Sequence, residues 1–243
     1  MNILKEIDQH MVKINKIRLF EGAYLKEINE LFKVKTTYSS NAIEGNTHNI
    51  EETKAILADG IKIRKHTANE FYEVEGHGNA YDYMFTLIAK RGLTEKDIMQ
   101  CHLLFTIDNK KFTDPGKYRK VDVVIKGSKK TLPKFEDVPD KMLEYIAWLN
   151  KERNNYHPVM FAAEANRKLG NIHPFNDGNG RVSRLVMNTC LFQDKFFPVC
   201  IPVLQRSHYF NLLETNDSSH FGNFIAELEL QTIKDLIRFF HIK

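Results

Sequence analysis

What this chain of 243 residues lacks narrows its function more than its composition does. Its longest apolar stretches are far too short to span a bilayer, which excludes a helical membrane protein. Cys101, Cys190 and Cys200 are three in number and form no Cys-x-x-Cys pair, so neither a disulfide framework nor a cysteine zinc site is expected; they read as reduced core residues. The P-loop pattern Gly-x-x-x-x-Gly-Lys-Ser/Thr is missing, and the 10 histidines form no His-Glu-x-x-His. His102, His157 and His220 accordingly read as surface or structural residues. No Ser/Gly/Pro linker, low-complexity tract or solenoid repeat divides the chain, and the first residues do not resemble a secretory signal. One compact cytoplasmic unit with no membrane contact is the expectation. A net charge of +4, from 35 basic and 31 acidic side chains, is too mild and too interspersed to call for nucleic acid.

What is there concentrates in one stretch, His173-Pro-Phe-Asn-Asp-Gly-Asn-Gly-Arg-Val-Ser-Arg184. Gly178, Asn179 and Gly180 tolerate left-handed backbone, which lets successive N–H groups converge on an anion. Val182, Leu185, Val186 and Thr189 then recur at helical spacing, so the loop feeds a helix N-terminus, itself a phosphate site. Arg181 and Arg184 share one face of that helix's first turn, and their guanidinium forks suit two phosphates. Asp177 offers a hard oxygen to Mg²⁺, or to Mn²⁺ in its place, with substrate phosphates completing the shell. His173 titrates near neutrality and can take a proton from an attacking hydroxyl.

With every fixed position present, the stretch resembles the signature of the Fic family, His-x-Phe-x-Asp/Glu-Gly-Asn-Gly-Arg-x-x-Arg. The resemblance implies a nucleotidyltransferase that moves AMP from ATP to a Ser, Thr or Tyr hydroxyl of a protein, itself included. It makes His173 the general base, Asp177 the metal ligand and Asn179 with its neighbouring N–H groups the anion hole. Arg181 and Arg184 become the outer phosphate clamps, and Phe175 a core anchor for the loop. Removal of AMP from a target, or an ATP-binding regulatory module without chemistry, stand as the alternatives.

Upstream, Ser40-Asn41-Ala42-Ile43-Glu44-Gly45-Asn46 reads by itself as a helix ending, with Gly45 or Asn46 as a left-handed C-cap. It is also similar to the inhibitory motif Ser/Thr-x-x-x-Glu-Gly/Asn of many Fic proteins. That likeness makes Glu44, with Ser40, an inhibitory element whose carboxylate occupies Arg184 and keeps ATP out of its productive pose.

Val121, Val123 and Ile125 alternate with polar residues and are followed by Gly127 and Pro133, a hairpin signature. Fic proteins carry a flap here that covers the nucleotide and pairs with the target, so Lys126, Gly127 and Ser128 are candidate nucleotide contacts and residues 123–133 the docking edge. Tyr209 and Phe210 resemble the wall of the adenine site. Helices are expected over about 1–35, 38–44, 48–60, 68–90, 94–106, 137–152, 158–171, 179–194, 206–215 and 220–241. The segment around Glu73, Val74 and His77 reads as plain packing. The expected fold is therefore all-α with one β-hairpin, residues 1–60 carrying the inhibitory motif and 61–243 the catalytic core as one unit. Apolar stripes on the first and last helices, Leu4-Ile7-Met11-Ile14-Ile17 and Ile225-Leu228-Ile233-Leu236-Ile237-Phe240, serve the core or a homodimer surface.

Overall fold

The computed structural model describes residues 2–215 and 217–241. The helices among them are, in chain order, α1 Ile3–Lys16, α2 Gly22–Ile43, α3 Ile50–Asp59, α4 Ala68–Thr86, α5 Glu95–Thr106, α6 Val138–Lys151, α7 Pro158–Ile172, α8 Asn179–Gln193, α9 Arg206–Glu214 and α10 Ser218–Phe239. Three starts are built alike. Asn49, Thr67 and Thr94 each cap the helix that follows, and Glu52, Glu70 and Asp97 return a hydrogen bond to the cap's own N–H. Pro158 opens α7, where its missing N–H costs nothing.

Helix α8 lies at the centre, buried on nearly every side from Val182 to Phe192. Helix α7 packs along it, α4 with α5 covers a second side, and α2 reaches it with its C-terminal end. The outer pair is α1 and α10, whose stripes meet: Ile7, Met11 and Ile14 on one helix and Ile225, Ile233 and Leu236 on the other are buried. Ile7, Ile28 and Phe32 share one hydrophobic cluster with residues of α7, α8 and α10, so the N-terminal helices are part of the same core. Among the described residues no helix is long and apolar enough to cross a membrane.

Two expectations are corrected. The chain is not helical through 1–35 with a separate piece at 38–44. It breaks after Lys16, where Arg18 takes a left-handed φ of 55° and Leu19 plugs into the core, and then runs unbroken from Gly22 to Ile43. The pair Thr36-Thr37, weak helix formers, lies inside α2 with both hydroxyls used: Thr36 Oγ1 donates back to Phe32 O at 2.6 Å, and Thr37 Oγ1 ties the helix to α4, 2.9 Å from His77 Nδ1.

The hairpin at 121–133 is likewise absent as a ladder: no strand occurs among the described residues, although a turn at its tip does, closed by Ser128 N–H to Ile125 O at 3.0 Å with Gly127 at φ 83°. The alternating residues bury no complete face: Val121 is 58% exposed, and Val123 and Ile125 are only half-buried. The buried guanidinium of Arg119 instead stands between the legs, donating to Val121 O at 3.1 Å and Pro133 O at 2.5 Å. Phe135 N–H goes to the Asp122 carboxylate and Lys129 N–H to Glu214, so backbone donors that a ladder would use are taken by side chains.

Candidate active site

The centre of the site is the junction of α7 and α8. Helix α7 ends at His173, which adopts left-handed backbone, φ 53° and ψ 58°. Phe175 is fully buried and lies flat on the His102 ring, centroids 3.8 Å apart. Asn179 then closes the loop on itself, its Oδ1 accepting from Phe175 N–H at 2.9 Å and its Nδ2 donating to Phe175 O at 2.8 Å. The Asn179 amide is thereby used inside the loop, and what it offers the cleft is its backbone N–H. Helix α8 opens from Gly178 with no side-chain cap, so its first-turn N–H groups lack intrahelical acceptors. Gly178 has φ 81°, and a Cβ there would meet the Phe105 ring at 2.8 Å.

A cleft of about 640 Å³ opens over this loop. His173, Asp177, Gly178, Asn179, Gly180, Arg181 and Arg184 line it, together with Glu44, with Lys126, Gly127 and Ser128 from the turn, and with Tyr209 and Phe210 of α9. The residues singled out from the sequence thus converge on one cavity. Ser40 is the one that does not line it; it sits buried behind Arg184.

Arg184 is 4% exposed and engaged with the end of α2 through Nε and Nη2, while its Nη1 has no partner among the described residues. Its Nη2 donates to Glu44 Oε1 at 2.8 Å and to Ser40 O at 3.0 Å, and its Nε donates to Ser40 Oγ at 3.0 Å. Burial works against the Glu44 charge, but Arg184 first, then Arg181 and Arg206, outweigh it and hold the carboxyl below its ordinary range. The carboxylate presses so close on the loop that a Cβ on Gly180 would lie 2.5 Å from Glu44 Oε1. Gly45, at φ 100°, turns the chain away immediately afterwards.

Arg181 is also buried, with its guanidinium carbon 4.5 Å above the Phe105 ring and its Nη1 3.3 Å from Glu73 Oε1. Asp177 is the opposite, with 50% of its side chain exposed, 4.0 Å from Lys111 Nζ and 3.8 Å from Arg181 Nη2. Among the described residues no set of three or more His, Cys, Asp or Glu could hold a metal unaided. A lone exposed carboxylate beside an anion-binding helix start suits a Mg²⁺ ion that draws its remaining ligands from phosphates and water.

Four residues matter here that sequence reasoning passed over. His102 accepts Gly116 N–H on Nδ1 at 2.9 Å, which leaves the proton on Nε2 to donate to Asp177 O at 3.1 Å; burial pushes this imidazole down to about 4. Arg119, besides spanning the turn's legs, donates through Nε to His173 O at 2.9 Å. Arg206 donates to Ile43 O at 2.6 Å, capping α2 next to Glu44. Glu73 pairs with Arg181. A charged residue in the apolar register of α4 is the one signal that marked Glu73 in advance; the others act through remote backbone groups.

Residues 92–191 match the model of the Fic/DOC family. Among curated relatives, Protein adenylyltransferase Fic of Drosophila grimshawi is 36% identical over 203 residues, covering 81% of this chain and 41% of its own length. The Drosophila melanogaster protein of the same name is 34% identical over 237 residues, covering 95% of this chain and 47% of its own length. The chain therefore spans less than half the length of these relatives. Among solved structures, Fic-1 from C. elegans superposes with a TM-score of 0.85 at 26% identity, over 98% of this chain and 72% of that one. With the loop 173–184 inside the matched segment, residues 92–191 of this chain are a Fic/DOC family domain.

Proposed function

We propose that the protein is an autoinhibited protein adenylyltransferase, which transfers AMP from ATP to a Ser, Thr or Tyr hydroxyl of a protein, its own chain included. The observation that carries this reading is the cleft itself: His173, the open start of α8, Arg181 and Arg184 face one cavity, and Glu44 blocks its last phosphate clamp at 2.8 Å. The names of the curated relatives support the reaction type.

His173 Nδ1 lies 3.4 Å from Gly170 O, and a proton kept there leaves Nε2 free as the base. That nitrogen takes the proton of the attacking hydroxyl. The hydroxyl oxygen then bonds to the α-phosphorus as the bond to the bridging oxygen breaks, and pyrophosphate leaves. The N–H groups at the start of α8 and Arg181 are in place before the reaction, and Arg184 joins them once Glu44 is released, so the developing charge meets donors already positioned. A Mg²⁺ ion on Asp177, when bound, supplies neutralisation of the departing phosphates. The protein target docks along residues 123–133, where Val124 is 92% exposed and the unladdered legs can accept a strand.

Two tests follow. With Glu44→Gly protein, ATP radiolabelled at the α-phosphate should mark the protein and ATP labelled at the γ-phosphate should not; the reverse pattern makes the enzyme a kinase. The second is a pH profile. Burial lowers the His173 pKa below the ordinary imidazole value of 6.5, despite the nearby Gly170 carbonyl and the Asp177 and Glu44 charges. Since a base works when unprotonated, a lowered pKa extends activity toward acid. The midpoint of the acid-side fall in the Glu44→Gly rate should lie below pH 6.5; a midpoint above that contradicts the assignment.

A further inference from the structure

Glu73 sits mid-way along α4, 6% exposed, with no part in the mechanism above. Its Oε1 lies 3.3 Å from Arg181 Nη1 and 3.1 Å from Lys111 Nζ, and its Oε2 accepts from Asn46 Nδ2 at 3.1 Å. Burial opposes its charge, yet Arg181, Asn46 and Lys111 together hold its carboxyl below the ordinary range. A buried carboxylate with this set of partners is fixed in place.

Arg181 is held differently from Arg184. Its guanidinium rests against the Phe105–Phe112 pair, 4.5 and 5.5 Å from the two ring centroids. Its Nε and Nη1 have no hydrogen-bond partner among the described residues, although Nη1 is within ion-pair distance of Glu73. Leaving donors unmade inside a protein is costly. Both atoms are buried, so Arg181 reaches the cleft through Nη2, 3.8 Å from Asp177.

We propose that Glu73 is a positioning residue: it fixes the buried side of the Arg181 guanidinium by charge and so holds the Nη2 edge, on the Asp177 side, in place for a nucleotide phosphate. The inference rests on the transferase reading above. Because Asn46 lies just beyond Glu44 and also donates to Glu70 O at 2.9 Å, the same carboxylate anchors the turn that follows the inhibitory residue. Arg181 and the inhibitory segment thus share one fixed point on α4.

Two substitutions separate positioning by charge from an ordinary buried acceptor. Glu73→Gln keeps the shape but has no charge and a single acceptor oxygen, so it can accept from Asn46 or from Lys111 but not from both. Glu73→Asp keeps the charge on a shorter stem. Both are made in Glu44→Gly protein, with self-modification measured at saturating ATP and the ATP dissociation constant measured separately by calorimetry. The Gln variant should lose about tenfold or more in turnover. Its ATP affinity should move by less than about threefold, because the lost orientation is offset by the removal of a competing anion, and the Asp variant should retain more turnover than Gln. Gln equal to or better than Asp overturns the proposal, since a structural acceptor gives that order. If Glu44→Gly itself transfers no AMP, the transferase reading fails first and this proposal falls with it. Should neither variant fold, NMR of the arginine Nε–H groups in the unaltered protein decides: Arg181 should be ordered before ATP is added, and an averaged signal like that of a free surface arginine overturns the proposal.

Discussion

Glu44→Gly is expected to raise self-modification by about 100-fold over the unaltered protein. Arg184 can hold a nucleotide phosphate only after releasing Glu44, and parting a buried ion pair costs about 3–5 kcal/mol. The Glu44 side chain is 27% exposed, which places it at the low end, about 3 kcal/mol, or roughly 100-fold in the population of open clefts. The substitution should spare the fold. Glu44 is the C-cap of α2 with ordinary backbone, φ −85° and ψ 0°, and Arg184 keeps both of its bonds to Ser40 when the carboxylate is gone. Parallel rates of AMP incorporation and melting temperatures check this; unchanged incorporation in a folded variant removes Glu44 from any regulatory role.

The second large effect runs the other way. In the Glu44→Gly background, His173→Ala should lower AMP transfer by about 100- to 10,000-fold, the range in which a positioned general base contributes. The His173 side chain makes only a 3.4 Å contact to Gly170 O, while its backbone holds the turn through N–H to Leu169 O at 3.0 Å, so the loop does not depend on the ring. ATP binding should persist, because Arg181, Arg184 and the start of α8 are untouched. Lost transfer with lost ATP binding would make His173 a structural residue instead.

The loop from His173 to Arg184 was legible in the sequence because each of its demands is local. Glycine is needed where backbone must be left-handed or closely approached, arginines at helical spacing share a face, and a carboxylate and an imidazole flank them. Glu44 was legible only through likeness to a motif, for nothing in residues 40–46 tells that Arg184 waits across the cleft. Of the helices with a capping box, α3 and α5 were found to within two residues and α4 began where expected, but α4 ends at Thr86 and not at 90. The break after Lys16 was missed because Arg18, an unremarkable residue, takes the left-handed turn, and no glycine or proline marks the spot until Gly22. Alternation at 121–125 wrongly suggested a ladder, since period-two hydrophobicity marks a strand only where one face is buried, and Arg119 holds these legs apart. His102, Arg206 and Arg119 work through carbonyls and amides far along the chain, which no local pattern encodes.

These placements join in a single claim: a transferase whose last phosphate clamp is held shut by its own α2. Intact-mass measurement after incubation with ATP and Mg²⁺ tests it most directly, on the unaltered protein, Glu44→Gly and Glu44→Gly/His173→Ala side by side. The account predicts one or more added AMP groups on Glu44→Gly, little or none on the unaltered protein, and none on the double variant. Phosphate instead of AMP on Glu44→Gly, or equal AMP on all three, would contradict it.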